Sequence, residues 1–329
     1  MKESIFSKHL YFIITICILS SILYLWYSLN KIEVKEEFFI PEFPSMSEYY
    51  VQKIKEIKKH KLKYYMSIPY GDNLVSKNNL WNMVRDCKES KKYLPKSFIL
   101  ENFYDELELK DTFSKDKIYI LKKNIHRKTG LKLFKGELYD LKKEYNNGGY
   151  KVIQEFIKNP FLINKRILVV RLYLLIQRED ENYHFHLHKY GKCLYTSENF
   201  SLENLNVKKM ITDNKTLLDD TFPQSLDELR DYGIDINLLK EPINHVLNCF
   251  KKFISKVYDK PYHEQLKFFQ LFGVDIILNN NMSPFLLEIN KNPNMESIYH
   301  EKERIMKKQV INDVKDLVKT NNDKNFIKI

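Results

Sequence analysis

Two apolar runs near the C-terminus are separated by a short polar turn. Residues 269–278 and 285–290 are mostly hydrophobic, and residues 279–284 between them contain three asparagines and a proline. Apolar runs bounded by turn-forming residues are typical of paired strands. This pattern predicts a β-hairpin, and each of its strands contains a carboxylate, Asp275 in the first and Glu288 in the second.

The polar positions of this hairpin are suited to a metal ion. Glu288 and Asn290 are two residues apart, so they lie on one face of their strand. Asp275 comes close to both of them if the two strands pair. Mg²⁺ binds one or two carboxylates together with substrate phosphates. We therefore expect Asp275, Glu288 and Asn290 to bind Mg²⁺ in an enzyme that uses a nucleotide triphosphate.

The rest of the chain mixes strand-like and helix-like segments without a regular alternation. Apolar runs predict strands at residues 117–121, 151–157, 166–176 and 183–188. Helical periodicity predicts helices at residues 73–92, 225–257 and 306–319. This mixture favours an α+β fold.

The N-terminal segment, residues 1–30, contains 20 consecutive residues without a charge, residues 10–29. As a helix this run would span roughly 30 Å, so it predicts a single transmembrane helix. A cleavable signal peptide is the alternative, but no small-residue cleavage site follows the run. We expect a linker with a basic helix at residues 31–71, the catalytic domain at 72–320 and a tail at 321–329. A nucleotide-dependent enzyme would face the cytosol.

Composition restricts the partners less than the motifs do. The net charge is +11, which fits an acidic partner such as an acidic peptide or an anionic membrane. A biased use of lysine across the whole chain explains the same charge. No nucleic-acid-binding motif occurs, so we expect no nucleic-acid partner. The four cysteines have neither disulfide-framework nor zinc-site spacing.

Three further groups of residues could carry chemistry. Lys122 ends an apolar strand and precedes a basic loop, residues 124–131, that could cradle phosphates. Arg171 lies inside a long apolar run, where a buried charge needs a partner or a site. Three histidines alternate along one strand and could bind Zn²⁺, but a polar strand face is the simpler interpretation. They are His184, His186 and His188.

Taken in order, these segments resemble the tubulin–tyrosine ligase-like branch of the ATP-grasp ligases. The resemblance extends over about residues 72–300. It depends most on the block from Gln154 to Pro160, on Gly273-Val274-Asp275 and on the strand that ends at Asn290. The other matching blocks are residues 79–81, 94–100, 118–122, 130–133, 171–173 and 195–198.

The resemblance implies an ATP-grasp fold that holds ATP and Mg²⁺ between two α+β subdomains. It implies that a substrate carboxylate is phosphorylated and that an amine then displaces phosphate, forming an amide. Arg171 and Lys189 would act in catalysis, and Asp275, Glu288 and Asn290 would bind the metal. ATP would be bound by Lys122, by the loop residues Arg127, Lys128 and Gly130, and by the hinge Gln154, Glu155, Phe156 and Ile157.

The chain departs from the family pattern on one strand. Ile167 and Val169 stand where the family commonly has Lys and Asp, which help to bind ATP and the acceptor. Our first hypothesis is a membrane-anchored Mg-ATP-dependent ligase that adds an amino acid to a peptide or protein carboxylate, with an acidic tail as one such acceptor. The alternative is a catalytically inactive ATP-grasp scaffold that binds a partner at the membrane.

Overall fold

A computed structural model describes most of the chain beyond residue 63. The described residues are 38–39, 64–87, 89–125, 130–179, 182–203, 205–213, 221–257, 267–295 and 301–329. No helix in these ranges is long and apolar enough to cross a bilayer. The predicted transmembrane helix at residues 10–29 lies outside them, as do the loop residues Arg127 and Lys128.

Strands and helices alternate irregularly along the described chain. The strands are β1 (Phe38–Phe39), β2 (Tyr64–Tyr65), β3 (Ser97–Phe98), β4 (Tyr119–Lys122), β5 (Leu131–Phe134), β6 (Val152–Glu155), β7 (Leu162–Ile163), β8 (Arg166–Glu179), β9 (Asn182–Thr196), β10 (Thr212–Asp213), β11 (Lys267–Leu278), β12 (Pro284–Lys291) and β13 (Phe326–Lys328). The helices are α1 (Asp72–Val75), α2 (Lys77–Arg85), α3 (Phe103–Thr112), α4 (Leu138–Gly148), α5 (Val207–Met210), α6 (Ile236–Val257) and α7 (Glu301–Thr320).

Nine of the described strands form one large sheet around β8, β9 and β11. β8 is antiparallel to β9 on one side and to β11 on the other, and β11 pairs in turn with β12. The predicted hairpin is thus confirmed as β11 and β12. β8 and β11 are apolar along almost their whole length because the sheet is covered on both faces.

Two long amphipathic helices cover the large sheet. α6 buries Leu239, Ile243 and Phe250 in the main core, which contains one face of β8 and β11. α7 buries Val310 and Leu317 against the opposite face. The helices predicted at residues 225–257 and 306–319 are confirmed over most of their length, and each has a clear apolar stripe.

A second sheet of four strands, in the order β3-β6-β4-β5, forms the smaller part of the α+β fold. α3 and α4 lie on this sheet, and their shared core includes Phe98, Leu109, Tyr119, Leu141 and Ile153. Two sheets with a cleft between them agree with the ATP-grasp architecture that the sequence predicted.

The folded unit extends past the boundaries predicted for the catalytic domain. At its N-terminal end, β2 pairs with the start of β11. At its C-terminal end, β13 pairs with β9, opposite His186, Leu187 and His188. The segment predicted as a tail at residues 321–329 therefore contributes a strand to the large sheet.

Candidate active site

Four charged residues form a single row across four neighbouring strands of the large sheet. Lys192 on β9 lies opposite Arg171 on β8, and Arg171 lies opposite Asp275 on β11. Asp275 in turn lies opposite Glu288 on β12. Residues directly opposite one another share one sheet face, so the four side chains form one continuous charged row.

An ion pair with two hydrogen bonds occupies the centre of this row. Arg171 Nε donates to Asp275 Oδ1 and Arg171 Nη2 donates to Asp275 Oδ2, both at 2.7 Å. The side chains are 13% and 8% exposed. Burial acts against the charge, but Asp275 raises the pKa of Arg171, which therefore stays charged. Such a pair is rigid because two parallel hydrogen bonds fix both groups.

A β-bulge shapes the carboxylate end of the row. The register of β11 and β12 shifts between Asp275 and Ile276, so that Leu287 has no partner on β11. Leu287 and its neighbour Glu288 therefore both line the cleft between the two sheets. A regular strand would turn consecutive side chains to opposite faces.

The carboxylate end of the row has the donor atoms that a hard cation requires. Asp275 and Glu288 are in side-chain contact. Burial raises the pKa of Asp275 most, Arg171 lowers it, and the nearby Glu288 carboxylate raises it further. Two carboxylates in contact repel one another unless a proton or a cation is shared. Asn290 Nδ2 donates to Glu288 Oε1 at 2.9 Å, which leaves Asn290 Oδ1 available.

The structure thus brings Asp275, Glu288 and Asn290 together as the sequence predicted. In the described ranges no group of three or more His, Cys, Asp or Glu side chains could hold a metal ion. The set here is two carboxylates and an amide oxygen. Oxygen donors in this small number suit Mg²⁺, which completes its shell with phosphate oxygens and water.

Two lysines face the carboxylates from the other side of the cleft. Lys122, at the end of β4, is 7% exposed, and burial lowers its pKa to about 8 although Glu288 opposes this. Lys77, at the start of α2, lines the same part of the cleft. Burial acts to raise the pKa of Glu288, but Lys122 and Lys77 together lower it. Cations that line the cleft beside the carboxylates would meet the phosphates of a bound nucleotide.

An apolar wall continues the cleft beyond the charged row. Ile167, Val169, Leu194 and Ile277 form a buried cluster, and Leu287 is packed against it. Ile167 and Val169 are the two positions where the chain lacks the family's Lys and Asp. The structure makes them part of this wall, which provides an apolar surface of the kind that lines ligand pockets.

The predicted hinge forms one edge of the apolar wall. Gln154 Nε2 donates to Ser97 Oγ at 3.0 Å, and Glu155 accepts from Lys117 Nζ at 2.9 Å, so both side chains have partners within the protein. Phe156 and Ile157 pack against the wall itself. Among the described residues the Ile157 N–H donates no hydrogen bond. That free donor at the cleft edge fits an acceptor nitrogen of a base.

Gly130 lies in the turn that joins β4 to β5. Its carbonyl accepts a hydrogen bond from the Lys123 N–H at 2.8 Å, which closes the loop after β4. A Cβ at this position would lie 2.5 Å from Ile125 Cγ1. The glycine therefore permits the loop to fold tightly next to Lys122, and its predicted role toward phosphate stays a prediction.

Lys189 is not brought to the charged row. It is exposed, and its Nζ donates to the Lys324 carbonyl at 2.7 Å. The register of β8 and β9 shifts between Leu172 and Leu174, where β9 has more residues than β8. These additional residues of β9 separate Lys189 from Arg171. Lys192 occupies the place beside Arg171 instead. Sequence reasoning missed both Lys192 and Lys77, since neither lies in a distinctive pattern.

The three alternating histidines are part of the strand rather than a common centre. His188 Nε2 lies 3.0 Å from Asp313 Oδ2, and His188 Nδ1 accepts from the Tyr190 N–H. His186 is buried edge-on against Phe326 of β13. These contacts attach β13 and α7 to β9.

The fold and the charged row form a cleft of the kind expected in ATP-grasp enzymes, in which Lys122 of the small sheet faces the carboxylates of the large sheet. The sequence profile of the Tubulin-tyrosine ligase family matches residues 55–325. The chain belongs to this family, as the resemblance of its motifs predicted.

Individual relatives are distant and longer. The probable tubulin polyglutamylase TTLL2 of Mus musculus is 23% identical over 253 residues, covering 70% of this chain and 45% of that protein. Tubulin glycylase 3D of Tetrahymena thermophila is 25% identical over 51% of this chain and 17% of its own length. Tubulin polyglutamylase TTLL11 of Mus musculus is 29% identical over 46% of this chain and 24% of its own. The match thus spans less than half of each of these relatives.

Proposed function

We propose that this protein is a Mg-ATP-dependent ligase that joins an amino acid to a carboxylate of a peptide or protein. The observation that carries the proposal is the charged row of Lys192, Arg171, Asp275 and Glu288, bordered by the apolar wall. One cleft then offers an apolar surface for adenine, lysines for phosphates and a carboxylate pair for a metal.

The proposed reaction has two balanced steps. An acceptor carboxylate oxygen attacks the γ-phosphorus of ATP, and the bond from this phosphorus to the bridging oxygen breaks. ADP is the leaving group, and the acceptor becomes an acyl phosphate. The amine of the donor amino acid then attacks the acyl carbon, the C–O bond to phosphate breaks, and the ammonium proton is lost to solvent. Both steps depend mainly on positioning and on neutralising negative charge.

The residues of the cleft divide these tasks. Lys122 of the small sheet and Lys77 of α2 would bind the phosphates, while Arg171, held by Asp275, would stabilise the transferring phosphoryl group. Asp275, Glu288 and Asn290 would hold Mg²⁺, which supplies further charge neutralisation. The Ile157 N–H would contact the base.

For the substrates, the names of the relatives support tubulin as the acceptor and glutamate or glycine as the donor. An acidic tail of tubulin would also be attracted by the net charge of +11. For the location, the uncharged residues 10–29 support a single membrane anchor with the catalytic domain in the cytosol, where ATP is supplied.

Thermal unfolding of the full-length chain with and without Mg-ATP tests the nucleotide site. A ligand that binds only the folded state stabilises it by about 2.7 kcal/mol at a hundredfold excess over Kd. We expect a Mg²⁺-dependent rise in Tm for wild type that is lost in Asp275→Asn/Glu288→Gln. The matched control is Asp111→Asn/Glu203→Gln, which removes the same two charges from exposed positions and should keep the rise.

The outcomes separate the candidate functions. No rise in wild type contradicts the proposal. The inactive scaffold is favoured if Mg-ATP raises the Tm of wild type but no ATP is consumed in the presence of tubulin tails and amino acids. The observation that motivates this alternative is the apolar pair Ile167 and Val169.

A further inference from the structure

A second cavity opens at the lysine end of the charged row. It encloses about 670 Å³ between β9, the first turns of α7 and the segment of residues 224–228. Lys192 and Glu303 line it, together with Ser225 and Met306. Cavities of this size accommodate a small molecule or one or two residues of a peptide.

Lys192 connects this cavity with the nucleotide cleft, because it belongs to the charged row and also lines the cavity. The cleft borders Glu288 at the other end of the row. Three strand spacings separate Lys192 from Glu288, which corresponds to about 14 Å. Two substrates can therefore approach Arg171 from opposite ends without crossing.

The ammonium group of Lys192 is held in place from α7. Lys192 Nζ lies 2.7 Å from Glu303 Oε1, and the same oxygen lies 2.7 Å from Lys307 Nζ. The side chains of Lys192 and Glu303 are 12% and 10% exposed, so their geometry is largely fixed by packing. Glu303 belongs to the first turn of α7 and thus sets the position of Lys192 relative to the row.

A buried hydroxyl marks the same place. Tyr173 is two residues from Arg171 on β8, is fully buried, and its Oη has no hydrogen-bond partner among the described residues. Arg171, Glu303 and Asp275 are the charges that act on it. A buried hydroxyl without a partner is unfavourable, and a substrate oxygen beside Arg171 would satisfy it.

Most charges around the cavity already have partners. Asp227 pairs with Arg230, Glu301 pairs with Arg304, and Glu228 accepts hydrogen bonds from Ser225 Oγ and the Gln224 N–H. Arg171 is engaged by both oxygens of Asp275. Lys192 is paired with Glu303, but it is the cation that both faces the cavity and adjoins Arg171, and its ammonium group has further N–H donors for a ligand.

We propose that this cavity admits the acceptor, that Lys192 binds the acceptor carboxylate that becomes phosphorylated, and that Glu303 positions Lys192 for this purpose. The inference rests on the proposed ligase function and adds to it a route and a binding residue for the second substrate. A carboxylate must approach the γ-phosphate of ATP although both groups are negative. A fixed cation beside Arg171 offsets that repulsion.

The test measures initial rates of ligation by the full-length chain. The probe is a synthetic acidic peptide with the sequence of a tubulin C-terminal tail, offered with Mg-ATP, L-glutamate and glycine. For Lys192→Met we expect the KM of the peptide to rise about tenfold or more, the usual effect of losing one charge-assisted hydrogen bond. The KM of ATP should change less than about twofold, because ATP binds at the other end of the row.

Three variants distinguish a binding role from a structural one. Lys192→Arg should recover most of the affinity for the peptide, and Glu303→Gln should raise its KM less than Lys192→Met does. Lys315→Met, an exposed lysine of α7, is the matched control and should behave as wild type. A Mg-ATP-dependent rise in Tm in each variant verifies that it is folded.

Each result has one meaning. An active wild type and a Lys192→Met variant with an unchanged peptide KM overturn the inference and leave the ligase function standing. A loss of stability in Lys192→Met without a selective effect on the peptide assigns Lys192 to anchoring α7, which also overturns it. No ligation by wild type overturns the ligase function on this acceptor and the inference with it.

Discussion

Replacing Arg171 by methionine tests the electrostatics of the site directly. The substitution keeps an unbranched side chain in β8 but leaves the Asp275 carboxylate, 8% exposed, without its two hydrogen bonds of 2.7 Å. Removing one partner of a buried ion pair costs about 3–5 kcal/mol, because the other charge stays buried. We expect a loss of this size in the free energy of unfolding, a large part of the typical 5–15 kcal/mol.

The assay is urea-induced unfolding of the full-length chain at pH 8 with EDTA, followed by circular dichroism. Arg304→Met is a matched control because Arg304 makes the same two-bond contact with Glu301, but at an exposed position. Ion pairs between fully exposed side chains contribute little to stability, so this variant should lose little. The double variant Arg171→Met/Asp275→Asn should recover part of the loss, since no charge is then left unpaired.

The pH dependence gives the same prediction an independent check. In Arg171→Met the pKa of Asp275, already raised by burial, lies further above the unfolded value of about 3.9. The folded variant then binds a proton more readily than the unfolded chain does, so stability increases as pH falls from 8 to 5. A loss below about 1 kcal/mol with no such recovery would show that Asp275 is well solvated and would refute the reasoning.

Two further predictions concern stability away from the row. Burial lowers the pKa of His186 to about 4, below its unfolded value of about 6.5. The folded state therefore favours neutral His186, and the stability of the fold falls as pH drops below 6.5, by about 2 kcal/mol at pH 5. His186→Phe should remove this part of the pH dependence measured by urea unfolding. Asp105, 1% exposed, accepts hydrogen bonds from Trp81 Nε1 at 2.9 Å and the Ile99 N–H at 3.0 Å. Asp105→Ala should therefore lower the free energy of unfolding by about 3 kcal/mol, whereas Asp111→Ala should leave it unchanged; equal effects of the two would contradict the assigned contacts.

The segments that could be predicted from the sequence are those with a strong pattern. The hairpin of β11 and β12, the apolar strand β8 and the helices α6 and α7 each have a run or a stripe that only one type of element satisfies. Among the metal-ligand candidates, Glu288 and Asn290 followed from the two-residue period of β12, and Asp275 followed from the pairing of the predicted hairpin. Lys122 comes close to Asp275 and Glu288 because the small sheet faces the large one across the cleft.

Other segments have no such pattern. α3 exposes Phe103 and Tyr104 and buries the charged Asp105 beside Leu109, so its apolar residues do not form one buried stripe. Its place on the small sheet depends on the buried hydrogen bonds of Asp105, which connect it to Trp81 of α2 and to Ile99. Tertiary contacts of this kind override local propensity and cannot be read from spacing.

The choice between Lys189 and Lys192 shows the same limit within the site. The predicted strand ended at His188, whereas β9 continues through Gly191 to Thr196. Which lysine meets Arg171 depends on the extra residues that β9 accommodates against β8. An irregular register is set by the pairing of strands, so the sequence of β9 alone does not reveal it.

The charged row also determines when the proposed catalytic centre can exist during folding. Arg171 and Lys192 lie on neighbouring strands, as do Asp275 and Glu288, but Arg171 and Asp275 are 104 residues apart. Contacts at such separation form late, because the closure entropy of the intervening chain opposes them. A growing or incomplete chain that ends before Asp275 thus contains Arg171 and Lys192 without either carboxylate of the row. The proposed consumption of ATP would in this way require a completed fold.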